Sequence, residues 1–405
     1  MYGGEGICGN GNYNKSGHLL VLPMYAARMS NLPPYLFARI DEMKAEQQKK
    51  GVDIIDLGVG DPDLPTPDHI VASLCEAAKN PENHHYPSYA GMPAYRSAVA
   101  DWYKNRFGVP LDPGKEVVAL MGSKDGIAHI AEAFVNPGDY VLAPSPGYPV
   151  YRTGTLFAEG IVHEMPLTRE NAFIPVLEDI PKKVIKSAKL MFINYPNNPT
   201  AAVAPEGFYR EVVDFASDNN IVVVSDNAYS EIAYEGYSSR SFLETKGAME
   251  IGIEMHSLSK TYNMTGWRIG MAVGNADILA GLGRVKTNVD SGVFNAVQQA
   301  AITALRGSQD CVKEACAIYQ ERRDVLIAGL RDLGFDVPTP RATFYVWLPV
   351  HDCMAFSAKL LNDAGIVATP GIGFGSSGEG YVRFAITRPV ARIKEAIGRM
   401  RRLDL

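Results

Sequence analysis

The spacing of apolar positions divides the chain into three stretches of different character. In the first, 1–23, Gly and Asn dominate and no period emerges. A flexible tail is expected there, since such a segment has little apolar surface to bury. The second begins with Leu36, Ile40, Met43 and Gln47, which mark one side of a helix ending at Gly51. A strand is expected over 53–57. Apolar runs of strand length then recur at 117–121, 140–143, 190–193, 221–225 and 269–273, with helical patterns such as 127–135 and 208–217 between most of them. Continuous apolar strands alternating with helices predict a mainly parallel sheet covered on both faces. In the third stretch, 291–333 reads as long helix with a break near Gly307. A strand (344–348), a helix (355–364), a strand (381–386) and a basic final helix follow. That is an α+β pattern.

At 405 residues the chain is expected to form more than one domain. The expected division is a tail at 1–23, an N-terminal arm at 24–64 that contributes to a small domain, a large domain at 65–290, and a small C-terminal domain at 291–405. A net charge of -6 argues against a nucleic-acid-binding surface. No apolar run is long enough for a bilayer. Cys8, Cys75, Cys311, Cys316 and Cys353 are scattered and form no CxxC pair. They predict reduced thiols in a cytoplasmic protein, with neither a disulfide framework nor a metal site.

Ligands of an open parallel sheet bind beyond the carboxyl ends of its strands, so the residues after each run carry most weight. After 117–121 comes Gly122-Ser123-Lys124-Asp125-Gly126, which opens a helix. It is either a capped helix start, with Ser123 or Asp125 as the cap, or a turn whose free N–H groups face a phosphate. Asp226 follows 221–225. It either caps a turn or holds a protonated pyridine nitrogen, with Tyr229 in reach of a ring hydroxyl. Lys260, flanked by hydroxyls in Ser257-Leu258-Ser259-Lys260, is either a surface lysine or an amine able to form a Schiff base. Arg268, eight residues on, offers a planar fork for phosphate. Arg383 is a lone charge in the apolar run Tyr381-Val382-Arg383-Phe384-Ala385. It either faces water on an edge strand or grips a carboxylate.

Order and spacing together are more specific than any one signal. Asn197-Asn198-Pro199-Thr200, Asp226-x-x-Tyr229, Ser257-x-Ser259-Lys260, Arg268 and Arg383 resemble the class I and II aminotransferases that use pyridoxal 5′-phosphate. The resemblance spans about residues 30–403. Runs such as 57–62, 192–200 and 257–268 are most similar to the LL-diaminopimelate branch of that family. The resemblance implies an α/β architecture of PLP fold type I, with a mainly parallel seven-stranded sheet in the large domain and a smaller α+β domain. It also implies a homodimer with shared sites. Lys260 would hold the cofactor and move the substrate's Cα proton. Asp226 would pair with the pyridine nitrogen, Asn198 and Tyr229 with the ring oxygen, and Tyr148 would stack on the ring. Ser123, Lys124, Ser257 and Arg268 would hold the phosphate, and Tyr86 would reach the phosphate of the neighbouring subunit. Arg383 with Gly60 would bind the substrate's α-carboxylate.

Two positions depart from the family pattern. Ala201 stands where glycine is usual after Asn-Pro-Thr, and Tyr89 stands where plant-type enzymes carry a glutamate toward the distal ammonium. Tyr35, Lys124 and Asn295 are therefore the expected readers of the distal group. The alternatives are another amino-acid aminotransferase or a PLP-dependent lyase. Gly373-Phe374-Gly375-Ser376-Ser377-Gly378 matches a dinucleotide-binding pattern, but a strand, not a helix, is expected after it.

Overall fold

In a computed structural model of the chain, residues 25–32 and 36–403 are described. The tail at 1–23 and Tyr35 therefore lie outside the described residues. Residues 25–32 carry one short helix, Ala27–Ser30.

The parity of the apolar runs builds the main sheet. Its seven strands are β2 (Val117–Leu120), β3 (Tyr140–Ser145), β4 (Ile161–Pro166), β5 (Ala188–Ile193), β6 (Val222–Asp226), β7 (Gly252–Ser257) and β8 (Gly270–Gly274), in the order β2-β8-β7-β6-β5-β3-β4. Pairings are parallel from β4 through β7, whereas β8 runs antiparallel to both its neighbours. Alternate residues point to opposite faces. Leu142, Met191, Ile193 and Val223 pack with the helices Pro93–Phe107 and Phe208–Asn219, while Val141, Leu190, Phe192 and Val224 pack with Ser123–Phe134 and Ala276–Val289. Burial on both sides explains why the central strands read as unbroken apolar runs. β4 escaped the sequence reading because it is an edge strand, with His163 and Glu164 in its middle and a mostly unburied pattern.

A second apolar cluster lies around two further pieces of sheet. Strand β1 (Ile55–Asp56) pairs in parallel with β10 (Ile366–Val367), so the segment after the first long helix packs with C-terminal sequence. Strands β9 (Tyr345–Pro349), β11 (Thr369–Pro370) and β12 (Tyr381–Ala385) form an antiparallel sheet with β12 in the centre. The helices Asp310–Asp332 and Val390–Met400 contribute Leu326, Leu330, Ile393 and Met400 to this core. The expected break near Gly307 separates Asn295–Arg306 from Asp310–Asp332. Among the described residues no helix is long and apolar enough to cross a membrane, and no cluster of His, Cys, Asp or Glu is arranged to hold a metal ion.

Candidate active site

The site gathers at the carboxyl ends of β2, β5, β6 and β7. Beyond β2, Gly122 adopts φ +77, a left-handed conformation that a side chain would strain, and serves as N-cap of the twelve-residue helix Ser123–Phe134 without any side-chain cap. A Cβ at Gly122 would run into the guanidinium of Arg268, which donates to the carbonyls of Thr265 (2.8 Å) and Met121 (3.1 Å). The helix N-terminus and a fixed cation thus face the same turn, an arrangement suited to phosphate. Asp125 is not the cap. Its carboxylate turns back to accept from the Met121 N–H at 3.0 Å and is held by His129 (2.9 Å) and by the buried Lys286 (2.5 Å). Burial alone would raise its pKa, but His129 and Lys286 bring it down to about 2. The carboxylate beside the phosphate turn thus stays ionised, with its charge compensated by these partners. Lys124 lies exposed in the first turn of the same helix.

Beyond β7, Ser257 caps the short helix Leu258–Thr261 by accepting from the Ser259 N–H at 3.3 Å. This sets Lys260 facing inward, where its amine donates to the Gly60 carbonyl at 2.9 Å and lies 5.6 Å from the Phe344 ring centroid. Desolvation, with the nearby Arg383 and Arg268, lowers its pKa to about 8 against the opposing pull of Asp61. A substantial fraction is therefore neutral, and nucleophilic, near physiological pH.

Asp226 ends β6 and is buried. One carboxylate oxygen accepts from the Tyr151 hydroxyl at 2.7 Å, while the other, Oδ1, has no partner. Burial pushes its pKa up to about 6, only partly offset by Tyr151. An orphaned buried carboxylate oxygen is the counterpart a cationic ring nitrogen requires. The Ser259 hydroxyl is likewise buried and unpartnered. Tyr148 stands one helical turn from Tyr151, ring edge to face at 5.8 Å.

The Asn198 turn follows β5. Asn194 ties it to the β6 terminus, accepting from the Asn198 N–H (2.8 Å) and donating to the Asp226 carbonyl (2.6 Å). Ala201 takes φ +60, so the alanine where the family has glycine occupies a left-handed position. The Asn198 side-chain oxygen accepts from Arg383 at 2.8 Å. Arg383 is buried on the central strand of its sheet, so the edge-strand alternative is excluded. It also donates to the Gly58 carbonyl (2.7 Å), and its Nε is unpartnered. Among the described residues no carboxylate pairs with it. A buried guanidinium left so is costly unless a ligand supplies the anion. Tyr229 is buried and its hydroxyl lies 2.9 Å from that of Tyr345.

Contacts thus join Lys260, Gly60, Asn198, Tyr229 and Arg383 into one group, with Asp226 and Tyr148 linked through Tyr151. Arg268 joins the Ser123 turn. Tyr86 is exposed and lines a groove of about 610 Å³ with Tyr89, Arg284 and Thr287. The Asn295 side-chain oxygen is buried and unpartnered. Sequence reading missed Tyr151, Asn194 and Tyr345. Only Tyr151 left a legible signal, the one-turn spacing from Tyr148.

A family profile, Aminotransferase class I and II, matches residues 52–400. An LL-diaminopimelate aminotransferase of Syntrophobacter fumaroxidans is 58% identical over 382 residues, covering 94% of this chain and 98% of the relative. One of the same name from Desulforudis audaxviator is 58% identical over 379 residues, covering 93% and 97%. Among solved structures, substrate-bound BacF from Bacillus subtilis superposes with a TM-score of 0.91 at 38% identity, covering 95% of this chain and 98% of that one. The phosphate turn, the orphaned carboxylate oxygen and the desolvated lysine fit the cofactor of the matched family, and the chain belongs to the class I and II aminotransferases, enzymes that use pyridoxal 5′-phosphate.

Proposed function

We propose that this chain moves an amino group between LL-2,6-diaminopimelate and 2-oxoglutarate, with tetrahydrodipicolinate as the cyclic keto partner, in lysine biosynthesis. The observation that carries the reading is the buried Arg383 without an acid, beside a desolvated Lys260. The two bind carbonyls only two residues apart, those of Gly58 and Gly60. An α-carboxylate bound by Arg383 brings the α-amine toward Lys260. The diaminopimelate side chain is suggested by the relatives that bear its name.

Lys260 would hold the cofactor and, when free, would carry the proton off the substrate Cα. Its lowered pKa keeps it a base near neutrality. When bound, the cofactor would supply an electron sink for the pair left at Cα. Asp226 Oδ1 keeps the pyridine nitrogen protonated, and Asn198 and Tyr229 hydrogen-bond the ring oxygen. Tyr148 stacks on the ring. Ser123, Lys124, Ser257 and Arg268 hold the phosphate, and Tyr86 serves the site of a second copy in a homodimer. Gly60 assists Arg383 at the α-carboxylate, while Tyr35, Lys124 and Asn295 read the distal group. Residues 65–290 act as the cofactor-holding domain and 291–405 with the 24–64 arm as the smaller one, although Ala300, Ala304 and Leu305 pack into the large-domain cluster and Ala228, Tyr229 and Ile232 into the other. The four described cysteines are unpaired, which suits a cytoplasmic enzyme.

The half-reaction tests the substrate. The yellow protein is mixed in turn with LL-diaminopimelate, meso-diaminopimelate, alanine, aspartate and glutamate. Loss of the visible band with LL-diaminopimelate and glutamate, and little with the rest, is expected. Conversion by alanine or aspartate instead retains transamination and discards the substrate; keto-acid release without the aminated cofactor indicates a lyase. Lys124→Ala is expected to raise the KM for diaminopimelate, and an unchanged KM removes Lys124 from the distal site.

A further inference from the structure

Tyr345 meets the site at three places, beside Tyr229, Arg383 and Gly60. It opens β9, next to the central strand β12. The antiparallel register pairs Tyr345 with Ala385 and Trp347 with Arg383, which makes Tyr345 and Arg383 diagonal neighbours on one face. The register therefore dictates the stack that is seen, with the Arg383 guanidinium carbon 4.2 Å from the Tyr345 ring centroid. The Tyr345 hydroxyl lies 2.9 Å from the Tyr229 hydroxyl. A Cβ at Gly60 would overlap that same hydroxyl, so glycine at 60 leaves room for it. The preceding residue, Phe344, faces the Lys260 amine.

These contacts divide between two parts of one side chain. If the Tyr229 hydroxyl donates to the cofactor's ring oxygen, its own oxygen is left to accept, and Tyr345 is placed to donate to it. Such a chain strengthens each bond in it. The ring meanwhile lies against a buried cation with no carboxylate partner among the described residues. The quadrupole of an aromatic face stabilises a cation in that position.

We infer that Tyr345 is a positioning residue of the reaction: its hydroxyl orients Tyr229 toward the cofactor, and its ring carries the Arg383 guanidinium until a substrate carboxylate arrives. The inference rests on the reading of Tyr229 and Arg383 given above. It couples the cofactor end and the carboxylate end of the site through a residue 116 positions from Tyr229.

Two variants of the holoenzyme separate the two parts. Tyr345→Phe keeps the ring and removes the hydroxyl; Tyr345→Leu removes both. The first readout is the pH titration of the bound cofactor's visible band with no substrate present. In Tyr345→Phe the midpoint is expected to rise by roughly half a pH unit, because a weakened Tyr229 hydrogen bond stabilises the unprotonated chromophore less. Its KM for the amino donor is expected to stay within about twofold of wild type, whereas Tyr345→Leu raises KM by about tenfold or more. A Tyr345→Phe midpoint equal to wild type overturns the hydroxyl role. An unchanged KM in a folded Tyr345→Leu overturns the ring role. If the leucine variant does not fold, the phenylalanine midpoint alone decides. Wild-type protein that shows no visible band after addition of pyridoxal phosphate defeats the cofactor reading itself, a failure distinct from normal binding with an unmoved midpoint.

Discussion

Two buried carboxylates sit on adjacent strands of the main sheet and are treated in opposite ways. Glu254 on β7 pairs in register with Ser225, and Asp226 pairs with Met255, so the two acids face opposite sides of the sheet. Glu254 accepts from Tyr103 (3.0 Å), Ser225 (3.0 Å), Ser241 (2.7 Å) and the Phe242 N–H (2.9 Å), and the His256 ring lies 3.2 Å away. Burial would raise its pKa, yet these partners, His256 foremost, bring it below the usual value. Asp226, equally buried, has one side-chain donor and an unpartnered Oδ1, and rises to about 6. The contrast separates a structural acid from one held in reserve. Around Glu254 the partners are supplied by the fold; at Asp226 polar capacity is left open for a ligand. Ser259 and Arg383 follow the second pattern.

The largest expected effect lies on the structural side. Glu254→Leu strands its whole set of donors and is expected to cost about 3–5 kcal/mol, read as a fall in Tm. On the reserved side, Arg383→Lys loses the planar fork and the ring stack. It is expected to lower kcat/KM for every α-amino acid about 10²-fold with little change in Tm. Asp226→Asn should act oppositely to Glu254→Leu in the cofactor-free protein. A carboxyl whose folded pKa exceeds its unfolded value keeps its proton longer in the folded state. Stability is then lost as pH rises from about 4 through about 6. The asparagine variant escapes that loss and is expected to be more stable above pH 6 by on the order of 2–3 kcal/mol, with no gain below pH 4, as denaturant titrations at several pH values would show. Smallest is the pH dependence of cofactor capture. Because Lys260 reacts as the neutral amine and has a pKa of about 8, the capture rate is expected to rise about tenfold per pH unit up to pH 8 and then level. A flat profile would place the reactive amine elsewhere.

How much of this was legible beforehand follows from the range of each interaction. Strand ends and the residues just past them are local, so Lys260, Asp226 and Ser123 could be marked as candidates from position, whereas the 197–200 turn entered through the family resemblance. Arg383 was visible as an anomaly, but whether it faced water depended on β12 being central, which only the pairing with β9 and β11 decides. Tyr345 could not be found, since its partners Tyr229, Arg383 and Gly60 come from three distant segments. The edge strand β4 was hidden by its own polarity. The departure at Ala201 was visible against the family's glycine, but its left-handed φ was not anticipated.

The most direct test of the central claim is chemical. The holoenzyme is reduced with borohydride, digested, and the site of the fixed phosphopyridoxyl group located by mass spectrometry. The expected result is one modified residue, Lys260, with no label in a Lys260→Ala protein. A label on another lysine such as Lys124, or none on the yellow protein, would contradict the assignment of Lys260 and the site built around it.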